Sequence, residues 1–130
     1  MERIDVNSFK VLIPAAVALA AVAVPVLAHH SFAMFDNERE VWLEGRVAHF
    51  QWTNPHTFIQ LNVPGARGQT VEWSLEGGSP NILSRNNWRR TSLMPGEAVR
   101  ILLHPLRSGQ PGGTFLEVHK ANGTVLYYHG

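Results

Sequence analysis

Cysteine is absent from this sequence of 130 residues. Its absence excludes disulfide bonds, thiolate catalysis, and zinc or iron–sulfur sites built on cysteine. An excess of charge of one sign is also lacking, since 11 Lys and Arg residues face 10 Asp and Glu residues, for a formal net charge of +1. A near-neutral chain offers no basic stripe to a nucleic-acid backbone, so we expect no nucleic-acid partner. Without disulfides, the folded chain must be stabilised by packing.

The long apolar run lies at the N-terminus. Residues 11–28 are apolar and rich in Ala and Val, and they follow a polar start that contains Arg3 and Lys10. Val26 and Ala28 fit the small-residue rule for signal peptidase, which predicts residues 1–28 as the signal peptide of an exported, periplasmic protein. The alternative is an uncleaved membrane anchor, because roughly 20 apolar residues are enough to span a bilayer.

The rest of the chain has the alternation of apolar and polar residues that is typical of strands. After a lead-in over residues 29–40, we predict strands at residues 41–53, 57–63, 70–76, 98–106 and 114–120, with a short terminal strand at 124–128. Gly45 indicates a bulge or bend in the first strand. Ser79 and Pro80 are the residues expected to begin a helix, with Trp88 on its apolar side.

This order of elements predicts a mostly β domain over residues 41–130. A long bent strand, a meander, a helix between strands three and four, and a closing pair of strands are typical of a five- to six-stranded OB-like barrel. A small β-sandwich is the alternative. Trp73 is expected to point inward from the third strand, where replacement by Ala would cost about 3–5 kcal/mol if it is fully buried.

With these elements placed, the chain resembles a family of small bacterial exported proteins known only as a domain of unknown function. The resemblance extends over the whole chain after residue 28 and implies export, but it carries no catalytic residues. It rests on five segments, namely His29-His30-Ser31-Phe32, Leu43-Glu44-Gly45-Arg46-Val47, Trp52-Thr53-Asn54-Pro55-His56, Glu76-Gly77-Gly78-Ser79-Pro80-Asn81 and Leu93-Met94-Pro95-Gly96-Glu97.

His29 and His30 are the first candidates for chemistry. Cleavage after Ala28 would leave His29 with a free amine beside its imidazole, and amine and imidazole nitrogens suit copper or zinc. We therefore consider a metal site built by His29, His30 and His56, for which the lead-in would fold back and dock Phe32. The simpler interpretation is a solvated histidine tail.

The segment from Trp52 to His56 joins the first two strands. In OB-type barrels this loop borders the ligand-binding face, so Trp52 and Asn54 are candidates for ligand contacts. Ordinary turn chemistry explains the same residues: Asn54-Pro55 makes the bend, and Trp52 packs on the core. Glu72 and Glu76 lie on one side of the third strand and could form an acid–base pair, but outward positions explain them more simply.

Arg85, Arg89 and Arg90, with Trp88, form the basic cluster of the chain, in which Arg89 and Arg90 could receive an acidic partner or lipid head groups. A solvated helix end is the simpler explanation. Three function classes stay open. The first is a non-enzymatic exported binding module for a small ligand or partner protein, with copper or zinc as its specific version. The second is a mononuclear copper redox enzyme using the same histidine. The third is an accessory subunit of an envelope complex, bound to the membrane if the leader is retained.

Overall fold

A computed structural model describes residues 32–129, and these form one six-stranded sheet that closes on itself. The sheet order is β3-β2-β1-β4-β5-β6, and parallel pairing of β3 with β5 closes a five-stranded barrel. The elements, in chain order, are a 3-10 turn η1 (Phe32–Met34), β1 (Val41–Gln51), β2 (Phe58–Pro64), β3 (Thr70–Glu76), α1 (Pro80–Arg85), β4 (Ala98–Pro105), β5 (Gly112–Lys120) and β6 (Val125–Tyr127). The predicted OB-like barrel is confirmed, and a sandwich of two sheets is not formed by these residues.

Strand β1 is long because it serves two partners. Its first half pairs with β4, its second half pairs with β2, and Arg46 lies opposite both Asn62 and Ala98. The predicted irregularity lies further along than Gly45, between Val47 and His49, where the register shifts. This extra residue turns Phe50 into the core and leaves His49 exposed. Gly45 has a different role: a Cβ there would lie 2.5 Å from the Asn62 carbonyl oxygen, so β2 approaches closely only because the side chain is missing.

The barrel core consists of inward-facing apolar side chains from every long strand. Phe115, Ile59, Leu61, Ile101 and Leu103 are fully buried. Trp73 lies on the predicted inner side and packs against this core, but it is only half-buried. The prediction for the side on which it lies is confirmed, and the expectation of full burial is wrong.

Helix α1 packs Leu83 into the barrel core, and it is shorter than the sequence pattern indicates. Ser79 is the N-cap, with its Oγ accepting from the Ile82 N–H, and the helix ends at Arg85. Trp88 therefore lies beyond the helix. Its backbone N–H donates to the Leu83 carbonyl, and its side chain is buried in the core, with the residue 1 % exposed. Arg89 and Arg90 are consequently not helix-end charges, and both are exposed in the connection to β4.

The lead-in residues of the described range are tied to the end of β4. Phe35 is buried and forms an isolated bridge with Leu106. The Asp36 N–H donates to the Pro105 carbonyl at 2.8 Å, and the Arg107 N–H donates to the Met34 carbonyl at 2.9 Å. Phe35 is thus the aromatic residue that this segment docks on the barrel, and the side chain of Phe32, for which docking was expected, lies outside the described part of the chain. Between residues 32 and 129, no helix is long and apolar enough to cross a membrane.

Candidate functional site

Two of the segments noted in the sequence meet at one rim of the barrel. We call this place the rim site and define it as residues 52–57, between β1 and β2, together with residues 76–78 at the end of β3. The Thr57 N–H and its Oγ1 both donate to the Gly78 carbonyl, at 3.0 and 2.9 Å, and the Gly77 N–H donates to the Thr57 carbonyl at 2.9 Å. Thr57 is fully buried. The backbone of the rim site is therefore held rigidly by hydrogen bonds shielded from water.

Glycine is required in this contact because there is no room for a side chain. A Cβ on Gly77 would lie 2.2 Å from Phe115 Cζ and 2.8 Å from Thr57 Oγ1. A Cβ on Gly78 would lie 2.9 Å from the Tyr128 hydroxyl. The Gly77-Gly78 pair thus lets the chain pass between Phe115 of the core and Tyr128, which follows β6.

His56 is the polar side chain that the rim site orients. Its Nδ1 lies 3.1 Å from the Gly77 carbonyl oxygen and 3.1 Å from Glu76 Oε1. A carbonyl oxygen and an ionised carboxylate oxygen only accept hydrogen bonds, so Nδ1 carries the hydrogen. A neutral His56 therefore has its lone pair on Nε2. The His56 side chain is 45 % exposed, whereas that of Glu76 is 21 % exposed. The partly buried acceptors therefore orient an imidazole of which much still reaches solvent.

Tyr128 closes the inner side of the same site. Its ring packs against Phe115, with ring centroids 5.5 Å apart, and its hydroxyl lies next to Gly78. Burial of the hydroxyl, together with the nearby Glu76 carboxylate, raises the pKa of Tyr128 above the ordinary value of 10.0. The phenol is therefore held in its neutral form over a wider range of pH than a solvated tyrosine.

The other loop residues divide between packing and exposure. Trp52 is half-buried, and its ring contacts Phe50 edge-on with centroids 5.6 Å apart. Thr53 Oγ1 donates to the His56 carbonyl at 2.9 Å, which tightens the loop. Asn54 and Pro55 are exposed, and the peptide bond between them is cis. Trp52 thus packs on the core, as the simpler interpretation of this segment predicts, while the exposed Asn54 is accessible to a ligand.

The remaining predicted site residues are not brought to the rim site by the described structure. His29 and His30 lie outside the described residues. Arg89 and Arg90 belong to the exposed connection after α1, where the Arg89 N–H donates to Ser92 Oγ. Over residues 32–129 there is no group of three or more His, Asp or Glu side chains that could hold a metal ion. A metal at His56 would therefore need ligands from outside this range.

Sequence reasoning missed the partner of His56, although the signal was present. In a β2–β3 hairpin the first residue of β2 faces the last residue of β3, and Phe58 is indeed paired with Glu76. His56, two residues before Phe58, is thereby brought to Glu76 and Gly77. Glu72, by contrast, is exposed opposite Asn62, so the suggested pair of carboxylates on β3 is divided between two environments.

Two other histidines are held by specific partners. His104 Nδ1 lies 2.8 Å from the Arg39 carbonyl oxygen and so ties β4 to the lead-in. His119 Nε2 lies 2.9 Å from Glu117 Oε2, and its ring meets Trp42 edge-on. Both are half-buried. Each is held by a partner that does not belong to the rim site.

A cavity of about 700 Å³ lies away from the rim site, where β1 leaves β2 for β4. We call it the β1 cavity. It is lined by residues 44–46 of β1, 62–64 of β2, 70 of β3, 98–100 of β4 and 119–121 at the end of β5. None of these residues belongs to the rim site. No local sequence pattern predicts the cavity, because its lining residues come from five strands that only the folded barrel brings together.

Comparison with known proteins identifies the family but no characterised relative. A search of curated proteins finds no match, and a search of solved structures finds none either. A family model described as "Family of unknown function (DUF6152)" matches residues 16–117, which include both segments of the rim site. This match covers more than half of the chain and confirms the resemblance seen in the sequence: the protein belongs to the DUF6152 family of unknown function.

Proposed function

We propose that this protein is an exported binding module whose rim site binds copper or zinc through His56, with His29 and His30 as the other ligands. The observation that carries the proposal is the orientation of His56, whose Nδ1 lies 3.1 Å from both the Gly77 carbonyl oxygen and Glu76 Oε1. Metal-bound histidines usually donate their second ring N–H to a carboxylate or backbone carbonyl, which fixes the tautomer and raises the basicity of the ligating nitrogen. His56 has this arrangement, with Nε2 as the ligating atom.

The path of the lead-in supports a contribution from the N-terminal histidines. Phe35 is paired with Leu106, and the Leu106 N–H donates to the Gly112 carbonyl. Gly112 is in turn paired with Ser74 on β3, two residues before Glu76. Three inter-strand spacings of about 4.8 Å each therefore separate Phe35 from Ser74, a distance that the six residues before Phe35 are long enough to span. If cleavage occurs after Ala28, His29 offers an amine and an imidazole, and borderline nitrogen donors of this kind suit Cu(II) and Zn(II).

Metal titration of the exported, processed protein tests the proposal. We expect binding of one Cu(II) or Zn(II), and His56→Gln should weaken it by at least about tenfold, as loss of a metal ligand does. His104→Gln is the matched control, because His104 also donates from Nδ1 to a carbonyl, and Thr114 of β5 separates it from Glu76 of the rim site. Its affinity should stay within about twofold of the unaltered protein, as expected for a residue with no part in coordination.

The role of the terminal amine is tested separately by adding one residue before His29. The added residue turns the amine into a peptide nitrogen, so copper affinity should fall sharply while zinc binding through imidazoles falls less. Equal affinities for His56→Gln and His104→Gln, or a protein that binds no metal, would contradict the proposal. The electron paramagnetic resonance spectrum of the Cu(II) form gives a second readout, since nitrogen couplings should decrease in number in His56→Gln.

A further inference from the structure

We propose that the β1 cavity is a second binding site, which takes a small amphiphilic anion, that is, a molecule with an apolar body and one carboxylate or sulfonate. The cavity holds about 700 Å³. Sites for small molecules typically measure about 300–1,000 Å³ and combine an apolar lining with a few polar anchors. A bare inorganic ion would fill little of this space, whereas a molecule with a short hydrocarbon or aromatic body would fill much of it.

The walls of the β1 cavity provide the apolar part of the site. Val63, Pro64, Ala98, Val99 and Ala121 line it, together with the Cα of Gly45. Gly45 contributes backbone but no side chain to this lining. Burying an apolar body of this size against such walls gives roughly 25 cal/mol for each Å² removed from water. The walls explain affinity for the body of the ligand but not for its charge.

The charge of the ligand follows from the cationic side chains of the lining. Arg46, Arg100 and Lys120 line the cavity, against the one carboxylate of Glu44. Lys120 is neutralised by Glu97, with Nζ 3.0 Å from Oε1. The Nε of Arg100 lies 3.9 Å from Glu44 Oε1, and the Glu44 side chain is 81 % exposed, so this ion pair is weak. The net balance of these groups favours an anion.

Arg46 is the residue to which we assign the anion. Its Nη1 donates to the Gly96 carbonyl at 3.0 Å, which holds the guanidinium beside the cavity. No carboxylate within residues 32–129 forms a salt bridge with Arg46. A guanidinium has further N–H donors in a planar fork, which fits a carboxylate with two parallel hydrogen bonds. Arg100 adds a second positive charge, with its Cζ 4.2 Å from the centroid of the Trp42 ring.

Calorimetric titration with decanoate, kept below the concentration at which it forms micelles, tests the proposal. We expect saturable binding of one decanoate, and at least about tenfold weaker binding of decanol and of decyltrimethylammonium, since a hydrogen bond between charged groups contributes roughly one order of magnitude. Equal binding of the three amphiphiles would overturn the assignment of an anion. Absence of saturable decanoate binding would overturn the site.

Three variants locate the binding. Arg46→Gln should weaken decanoate binding about tenfold, whereas Arg85→Gln, which removes an exposed arginine on α1, should leave it within about twofold. Ala98→Phe places a ring in the cavity at an exposed strand position, where aromatic residues are tolerated, and should abolish binding. Unchanged affinity in Arg46→Gln or Ala98→Phe would overturn the site, provided that nuclear magnetic resonance spectra show both variants to be folded.

Glu44→Gln is expected to strengthen decanoate binding, a result that loss of folding could not produce. Removal of this carboxylate takes a like charge from the cavity and frees Arg100, so decanoate binding should become about two- to fivefold tighter. Weaker binding in Glu44→Gln would contradict the proposed placement of the anion.

Vesicles of phosphatidylglycerol distinguish a soluble ligand from a membrane surface: protein that sediments with vesicles but binds no monomeric decanoate would refute the proposal. His56→Gln should bind decanoate normally, which separates this site from the rim site.

Discussion

The rim site and the β1 cavity lie along the same strands and are built in opposite ways. At the rim site, backbone hydrogen bonds between Thr57 and Gly77-Gly78 and the packing of Phe115 leave no space for even one added carbon. At the β1 cavity, the strands separate and leave about 700 Å³ bordered by cationic side chains. A packed rim can present single atoms to a ligand, such as His56 Nε2, whereas a cavity can hold a molecule. The two regions therefore suit ligands of different size.

The largest expected effect is the loss in free energy of unfolding when a tryptophan is replaced at the packed end, Trp88, compared with one on β3, Trp73. Trp88 is 1 % exposed, contacts Phe50 and Phe115, and donates from Nε1 to the Tyr127 carbonyl at 2.8 Å. Trp88→Ala should lower the free energy of unfolding by about 3–5 kcal/mol. Trp73 is half-buried on β3 between Thr70, which lines the cavity, and Glu76, so Trp73→Ala should cost about 2 kcal/mol. Urea denaturation measures both, and equal losses would show that stability is not concentrated at the packed end.

The second prediction compares two glycines. Gly77→Ala places a Cβ 2.2 Å from Phe115 Cζ in a site that cannot expand, so we expect a loss of about 3 kcal/mol in the free energy of unfolding. Gly68, in the β2–β3 turn, has a φ of +78° but nothing within 4 Å of an added Cβ. Gly68→Ala should therefore cost only about 1 kcal/mol, for backbone conformation alone. Similar costs for the two variants would show that the rim site can adjust.

The third prediction concerns Glu97, the ion-pair partner of Lys120, which lines the β1 cavity. Burial favours protonation of Glu97, but hydrogen bonds from the Met94 N–H and from Lys120 outweigh it and lower the pKa of Glu97 below 4.5. A lowered pKa in the folded state stabilises the protein above the unfolded-state pKa, and this contribution disappears as the pH falls through the folded-state pKa. Glu97→Gln should thus reduce stability at neutral pH, by less than about 1 kcal/mol, and make little difference in acid. A loss that is constant with pH would contradict an electrostatic origin.

The smallest expected effect is on Tyr128 at the rim site. Its pKa is raised by burial and by Glu76, so the folded protein keeps the phenol protonated after the unfolded chain has begun to ionise. The stability due to Tyr128 is therefore complete below pH 10 and declines as the pH rises above it. In Tyr127→Phe, where Tyr128 is the one tyrosine left, titration of phenolate absorbance should give this raised pKa. The further change Glu76→Gln should lower it, and an unchanged pKa would leave burial as the sole cause.

Local patterns predicted the barrel because they are set by neighbouring residues. Alternation in residues 41–47 and 70–76 placed β1 and β3, and the Ser79-Pro80 pair placed the start of α1 at the correct residue. The predicted end of the helix is wrong, because Trp88 and the two arginines after it continue the amphipathic pattern in the sequence although α1 ends at Arg85. The Trp88 ring is buried in the core, and the helix ends at Arg85, before Trp88. Tertiary packing thus overrode a local preference.

The sequence by itself determined the order of strands, the turns, and the residues that meet in the β2–β3 hairpin. Those features depend on side-chain period, on proline and glycine geometry, and on short loops, all of which act over a few residues. Only the tertiary structure decided that Tyr128 packs beside Gly78 and that Arg46 and Arg100 border one cavity. These contacts join residues far apart in the chain, and they form because closure of the barrel fixes the distances between its strands.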